Sequence, residues 1–395
     1  MPMFMRVDLS TIGYVAAALA VAALIAFIAT PVVKSLAFKV GAVDVPKDAR
    51  RMHDHPIPRM GGLAIFLGFL LAVLIFVPMT SAMGNSGAEL LSDSTKGMLL
   101  GAIIIVILGV FDDIYDLPAK FKFVVQIIAA IVAAVSGNVI DVISNPNVFS
   151  QNPWLELGWL SYPVTIIWIV AVTNAVNLID GLDGLACGVS TISSMTMLVI
   201  ALLVSEVNVA VMMGALAGAC LGFLPYNLNP AKIFMGDTGS TFLGFILATM
   251  SVQGMFKMYT IISFVVPFLM LGLPIFDTCF AFIRRIAHGQ SPMHPDRSHV
   301  HHRLIDMGFT QKQAVGILYV ISAILGLSAV ILTTSGALKA MIFLLAMCAA
   351  GVVAGKIFLS NNDEGKKRPS ATASSASGPT GTEPAAPDQK EEEHE

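Results

Sequence analysis

The stretch LLGAIIIVILGVFDDIYDLPAKFK, residues 99–122, joins an unbroken apolar run to three aspartates and two lysines. Its first half is apolar enough for lipid. Asp112, Asp113 and Asp116 are costly at the edge of hydrocarbon unless a cation offsets them. The apolar half therefore decides the fold class, and the acidic half marks where chemistry gathers.

Similar runs recur at 12–30, 61–78, 97–111, 123–137, 161–177, 187–204, 207–224, 239–256, 260–276, 314–333 and 337–359. Most approach the roughly 20 residues that span a bilayer. Of the 395 residues, 56% are hydrophobic and 12% charged, about half the charged share of soluble domains. The expected fold is an all-α polytopic integral membrane protein of about 11 transmembrane helices. The first run lacks a small-residue cleavage site, so it reads as a retained helix rather than a signal peptide. Cys187, Cys220, Cys279 and Cys348 lie in or beside apolar runs without CxxC spacing. They are expected to be small core residues, with no disulfide or zinc framework.

With the N-terminus outside, nineteen Lys and Arg residues fall on the cytoplasmic side and four, Arg6, Lys96, Lys257 and Lys339, on the other. That asymmetry predicts an external N-terminus and a cytoplasmic C-terminus in the plasma membrane. A membrane-embedded domain, 1–360, then carries its polar residues in five cytoplasmic segments: 44–62, 112–122, 174–184, 225–241 and 277–313. Residues 361–395 turn to Ser, Ala, Pro and Glu, the composition of a disordered tail. On the outer side, 138–160 carries Trp154 and Trp159, expected at the interface.

In DDIYD, a continuing helix would put Asp112 and Asp116 on one face, with Asp113 about 100° away. AVTNAVNLIDGLDGLA (171–186) adds Asn174, Asn177, Asp180 and Asp183, and NLNPAKIFMGDTGSTFLG (227–244) adds Asn229, Asp237, Thr238 and Ser240. Crowded carboxylates repel one another, and a hard cation such as Mg²⁺ would offset this. Helix capping is the plainer reading of any single member. Thr238 and Ser240 are themselves placed to cap the following helix. Gly181, Gly184, Gly236 and Gly239 allow close backbone approach to a ligand, although no GxxxxGK[ST] loop is present. SPMHPDRSHVHHRLIDMG (291–308) sets His294, His299, His301 and His302 beside Arg297 and Arg303. Arginine with protonated histidine suits a diphosphate better than a metal ion. DARRMHDHPIPRMGG (48–62) is a second basic loop, equally readable as an orientation signal. An acidic centre with basic rims suits metal-assisted phosphoryl transfer to a lipid acceptor.

These segments, PRMGG (58–62), DDIYDLPAKFK (112–122), NAVNLIDGLDGLA (174–186), NLNPAKIFMGDTGS (227–240) and HPDRSHVHHRL (294–304), resemble the polyprenyl-phosphate N-acetylhexosamine-1-phosphate transferases. More narrowly, the chain is similar to the bacterial undecaprenyl-phosphate GlcNAc-1-phosphate transferases. The resemblance implies transfer of GlcNAc-1-phosphate from UDP-GlcNAc to undecaprenyl phosphate, with UMP released and Mg²⁺ or Mn²⁺ required. It makes Asp237 a metal ligand, joined by Asp112, and Asp112 and Asp113 the adjacent pair. One of that pair positions or deprotonates the lipid phosphate or, in the other scheme, attacks covalently. His301 would be catalytic. Asn177, Asp180 and Asp183 would hold nucleotide or sugar, Phe234 would contact uracil, and Arg297, His299, His302, Arg303 and Lys120 would bind substrate. The implied partners are UDP-GlcNAc, undecaprenyl phosphate and the lipid bilayer, with no nucleic acid and a homodimer left open. HVHH and PIPRMGG, in place of three adjacent histidines and a TPTMGG-like segment, favour the GlcNAc branch over the phospho-MurNAc-pentapeptide branch.

Two other classes are set aside on the same residues. An ion-coupled carrier would interrupt its helices with polar residues at mid-membrane, whereas here they cluster on one side. An intramembrane aspartyl protease would need glycine where Phe234 stands, and would leave the histidine loop without a purpose.

Overall fold

The computed structural model describes residues 8–45, 56–84, 90–144, 154–256, 265–287, 289, 299–335, 339, 341, 343, 345 and 348. The tail at 361–395, most of the expected span 337–359, and the segment carrying His294 and Arg297 lie outside these. The chain divides into two units, Met1–Leu344 and Leu345–Glu395. The helices and the cleft described here belong to the first.

Twelve α-helices run through the described residues: α1 (Leu9–Val40), α2 (Gly62–Gly84), α3 (Asp93–Tyr115), α4 (Ala119–Val135), α5 (Ser161–Leu178), α6 (Leu185–Leu203), α7 (Val207–Asn227), α8 (Gly236–Ser251), α9 (Val265–Met270), α10 (Gly272–Ala287), α11 (Val300–Asp306) and α12 (Gln311–Ser335). Two antiparallel hairpins interrupt them, β1 (Val43–Asp44) with β2 (Ile57–Pro58) and β3 (Val142–Ser144) with β4 (Trp154–Glu156). Among the described residues seven helical segments are long and apolar enough to cross a bilayer: α1, α2, α3, Gly158–Leu178 around α5, α6, α7 and α12. The chain is a polytopic, all-helical membrane protein. The expected run at 260–276 is broken into α9 and α10, and α10 continues to Arg284 and Arg285. Cys187 and Cys220 are buried as expected, whereas Cys279 and Cys348 are exposed.

A helix that is apolar all round gives no amphipathic signal for its buried face, so residue size decides packing instead. On α3, Leu100, Ile103, Ile107 and Phe111 are exposed, while Gly101, Ala102, Ile105 and Gly109 are buried. The glycines and the alanine meet neighbouring helices together with larger residues such as Met98 and Leu108. Helix α8 is the extreme case: every residue from Thr238 to Ser251 is buried, and α2, α3, α5 and α6 all pack against it. A Cβ on Gly244 would sit 2.7 Å from Thr173 Cα of α5, and one on Gly109 would sit 2.4 Å from Thr238 Cα.

The α1–α7 seam follows the same rule. Gly214, Gly218 and Gly222, spaced four apart on one face of α7, approach the carbonyl oxygens of Val15, Leu19 and Ala23. Such close backbone contact is how helices associate where no hydrophobic drive operates. A Cβ at Gly218 would stand 2.1 Å from Leu19 O, whereas one at Gly13 would meet nothing within 4 Å. Gly218→Val is therefore expected to remove most of the monodisperse protein from a detergent size-exclusion profile. Gly13→Val should leave that profile unchanged.

Candidate active site

Three backbone hydrogen bonds, each 2.9 Å, bind the start of α2 to the segment before α8: Gly61 N to Phe234 O, Gly62 N to Met235 O, and Phe234 N to Pro58 O. Glycine is required at the junction, because a Cβ on Gly62 would lie 2.1 Å from Gly239 Cα. The helix starts of α2 and α8 thus converge on the end of α3, where the aspartates stand.

The two adjacent aspartates part company there. Asp113 turns to α8 and accepts from Asp237 N at 3.0 Å, Thr238 N at 3.1 Å and the Thr238 hydroxyl at 2.6 Å. These amides are among the first of α8, which lack partners within their own helix, so Asp113 caps α8 from another helix. Thr238 and Ser240 do not take that role: α8 starts at Gly236, Thr238 donates to Asp113, and the Ser240 hydroxyl donates to Gly236 O and Asn177 Oδ1. Asp112 accepts from Leu117 N at 2.8 Å through Oδ1, and its Oδ2 lies 3.0 Å from Lys122 Nζ. Lys122 Nζ also reaches Asp237 Oδ2 at 2.9 Å, so one ammonium joins the two carboxylates.

Asp116 does not continue the face of Asp112. It caps α3 in the left-handed conformation, φ 50°, and its nearest cation is Arg59, with Nη2 3.5 Å from Oδ1. On a continuing helix Lys120, four residues on, would face Asp116, but Asp116 meets Arg59 instead. Lys120 is exposed and lies outside the cleft lining; Lys122 is the lysine among the carboxylates.

The end of α5 supplies Asn177, and the turn between α5 and α6 supplies Asp180, Gly181 and Asp183. Asp183 Oδ2 accepts from Asn229 Nδ2 at 2.9 Å and Ala231 N at 3.0 Å, and Asn229 also donates to Gln311 Oε1 at 2.7 Å. Asp183 therefore ties this turn to the α7–α8 connection, with the start of α12 joined to it. Among the described residues no cation pairs with Asp180. Burial first, then the carboxylates of Asp237, Asp113 and Asp183, push its carboxyl up to about 8.

The histidines enter from α11. Asp277 of α10, 4% exposed, accepts from His299 Nδ1 and from Val300 N, both at 2.8 Å. His299 stacks on His301 with ring centroids 5.7 Å apart and planes 7° from parallel, and His301 meets His302 at 4.3 Å. His301 packs against Gly181, where a Cβ would lie 2.4 Å from its Nε2. Burial first, then the neighbouring histidines, hold His301 down to about 4. Burial thus favours the neutral imidazole at this position over the cationic form expected for the histidine cluster. Arg303 stands over the Phe280 ring at 5.7 Å, with Arg284 over the same ring at 5.9 Å.

All of this surrounds a cleft of about 320 Å³. Among the expected residues, Asp113, Asn177, Asp180, Asp183, Phe234, Asp237 and His302 line it. Asp112 stands behind Lys122. His299, His301 and Arg303 are outside the lining, and Arg297 falls outside the described residues. Lys122, Asp44, Asn227 and Gln311 escaped the sequence reading as site residues, and Arg59 figured there only as part of a basic loop. Asn227 Oδ1 and Arg59 Nε, on two lining residues, are buried without a hydrogen-bond partner among the described residues. Plain amides and a lysine ten residues from its carboxylate carry no motif signal.

The profile of glycosyl transferase family 4 matches residues 95–255. A probable undecaprenyl-phosphate N-acetylglucosaminyl 1-phosphate transferase of Bacillus subtilis is 45% identical over 315 residues, covering 80% of this chain and 84% of the relative. A decaprenyl-phosphate N-acetylglucosaminephosphotransferase of Mycolicibacterium smegmatis is 35% identical, covering 75% and 77%. An undecaprenyl-phosphate alpha-N-acetylglucosaminyl 1-phosphate transferase of Yersinia pestis is 30% identical, covering 76% and 79%. With its bundle, its acidic cleft and these relatives over most of its length, the chain belongs to glycosyl transferase family 4.

Proposed function

We propose that this protein transfers GlcNAc-1-phosphate from UDP-GlcNAc to undecaprenyl phosphate. A lipid-phosphate oxygen attacks the sugar-bearing phosphorus, the bond to the bridging oxygen of UDP breaks, and UMP leaves with that oxygen. The observation that carries the reading is the ammonium-bridged carboxylate pair, Asp112 and Asp237, at the edge of a cleft in a lipid-facing bundle. The names of the relatives supply the substrate class.

The donor set fits a hard cation. Lys122 already shows that Asp112 and Asp237 can share one positive centre. Among the described residues no group of three ligating side chains is assembled, which suits Mg²⁺, an ion that takes one or two carboxylates and completes its shell with water and phosphate oxygens. Mg²⁺ or Mn²⁺ held there would neutralise charge on the diphosphate.

The chain's own residues have separable tasks. Asp113 spends both oxygens on the fixed amides and hydroxyl of α8, whereas Asp112 Oδ2 meets the flexible arm of Lys122, which favours Asp112 as the member that positions the acceptor. A phosphate monoester has its second pKa near 6, so the lipid phosphate needs no strong base and direct attack suffices. Arg59 brings positive charge to a lining otherwise rich in carboxylates. An apolar groove of about 360 Å³ between α5 and α10 offers a place for the polyprenyl chain. It follows α5 from Val164 to Ala175, two residues short of Asn177. The charge asymmetry of nineteen to four supports a cleft on the cytoplasmic side, where a nucleotide sugar is available.

Purified protein with undecaprenyl phosphate and Mg²⁺ is expected to release UMP from UDP-GlcNAc and from no other member of a UDP-sugar panel at a comparable rate. Release from a different sugar alone would overturn the donor assignment. A phosphoaspartyl enzyme trapped without lipid would overturn direct attack.

A further inference from the structure

Asp277 has a place in the site that its position at the end of an apolar run does not announce. It is buried, lies outside the cleft lining, and both its oxygens are engaged at 2.8 Å. Oδ1 holds Val300 N, the first amide of α11. Oδ2 holds His299 Nδ1, and a carboxylate oxygen there only accepts, so Nδ1 carries a proton. The fixed His299 ring lies parallel to His301, 7° between planes, and His301 is seated on Gly181, whose neighbours Asp180 and Asp183 line the cleft. His302, next along α11, lines the cleft itself.

We propose that Asp277 is a positioning residue. Through His299 it orients the imidazole stack and the start of α11, and so sets how His301 rests on Gly181 and where His302 meets the cleft. It touches no substrate. α10 carries this anchor between Ile275 and Thr278, which wall the apolar groove, so the helix that fixes the histidines also borders the space for the lipid. The role rests on the transferase reading, while the Asp277–His299 bond does not.

The test uses the full chain in detergent with ¹⁵N-labelled histidine. In the wild type, the His299 Nδ1 signal should be of the protonated type, and Asp277→Asn should shift it to the unprotonated type, because the amide can donate back. The kcat of Asp277→Asn should fall on the order of 10- to 100-fold, as sub-ångström misplacement commonly costs. The KM for UDP-GlcNAc should change much less. His299→Ala should lose as much, the double variant should lose no more than either single one, and His299→Asn, whose Nδ2 can replace Nδ1 as donor, should recover most of the loss. Additive losses, an unprotonated Nδ1 in the wild type, or unchanged kcat after the signal has shifted would each overturn the proposal. If Asp277→Asn does not fold, equal activities of His299→Ala and His299→Asn overturn it, and rescue by Asn supports it. A wild type with a protonated Nδ1 and no UMP release would instead sink the transferase reading and leave the anchor standing.

Discussion

Asp237→Asn and Asp112→Asn should each lower UMP release by about 10³-fold, the scale on which a preorganised charge acts in a sheltered site, while the protein keeps its size-exclusion profile. Asp113→Asn should behave differently. It faces three donors from Asp237 and Thr238, and an amide offers one acceptor and an unwanted donor in their midst. Leaving a buried donor unpaired costs about 1–3 kcal/mol, and the helix it caps is buried on every side. Asp113→Asn is therefore expected to lower the melting temperature by several degrees in addition to reducing turnover, whereas the other two should leave melting nearly unchanged. Equal loss of stability in all three would refute this division between a structural and a chemical carboxylate.

Asp180→Asn should separate stability from activity in the opposite sense. An unfolded aspartate ionises near 3.9, whereas burial and three neighbouring carboxylates push Asp180 up to about 8. Between those values the folded protein holds a proton that the unfolded chain has released, so stability falls as pH rises through the window. Above about pH 8 the full penalty applies. Asn cannot ionise, so the ligand-free variant should melt higher than wild type at alkaline pH, with the gain shrinking toward pH 4. Turnover should meanwhile fall by about 10²-fold, the usual exchange where strain serves function. Thermal melts across this pH range, beside a UMP assay, check both halves. A variant that melts no higher at alkaline pH would refute the account.

The sequence made the bundle legible, since apolar length alone marks spans. It did not reveal packing, because helices apolar all round lack a periodic signal; only small residues such as Gly218 and Gly244 hint at the seams. The acidic motifs were equally legible as a set, and Asn177, Asp180, Asp183, Phe234 and Asp237 do meet around one cleft. Distances within the set were not. Counting four residues from Asp116 selects Lys120 only if the helix continues. Asp116 turns left-handed and Pro118 starts a new helix, which breaks the phase and brings Lys122 to Asp112 instead. Asp277 stayed hidden for a related reason: its partner lies 22 residues away, beyond any local motif.

Lys122 has a consequence for how the cleft waits between turnovers. With its ammonium lodged between Asp112 and Asp237, the protein carries a tethered understudy for the divalent ion of the proposed reaction. The lysine already holds the two carboxylates together, so a cation entering as proposed need only displace a flexible arm rather than gather scattered ligands.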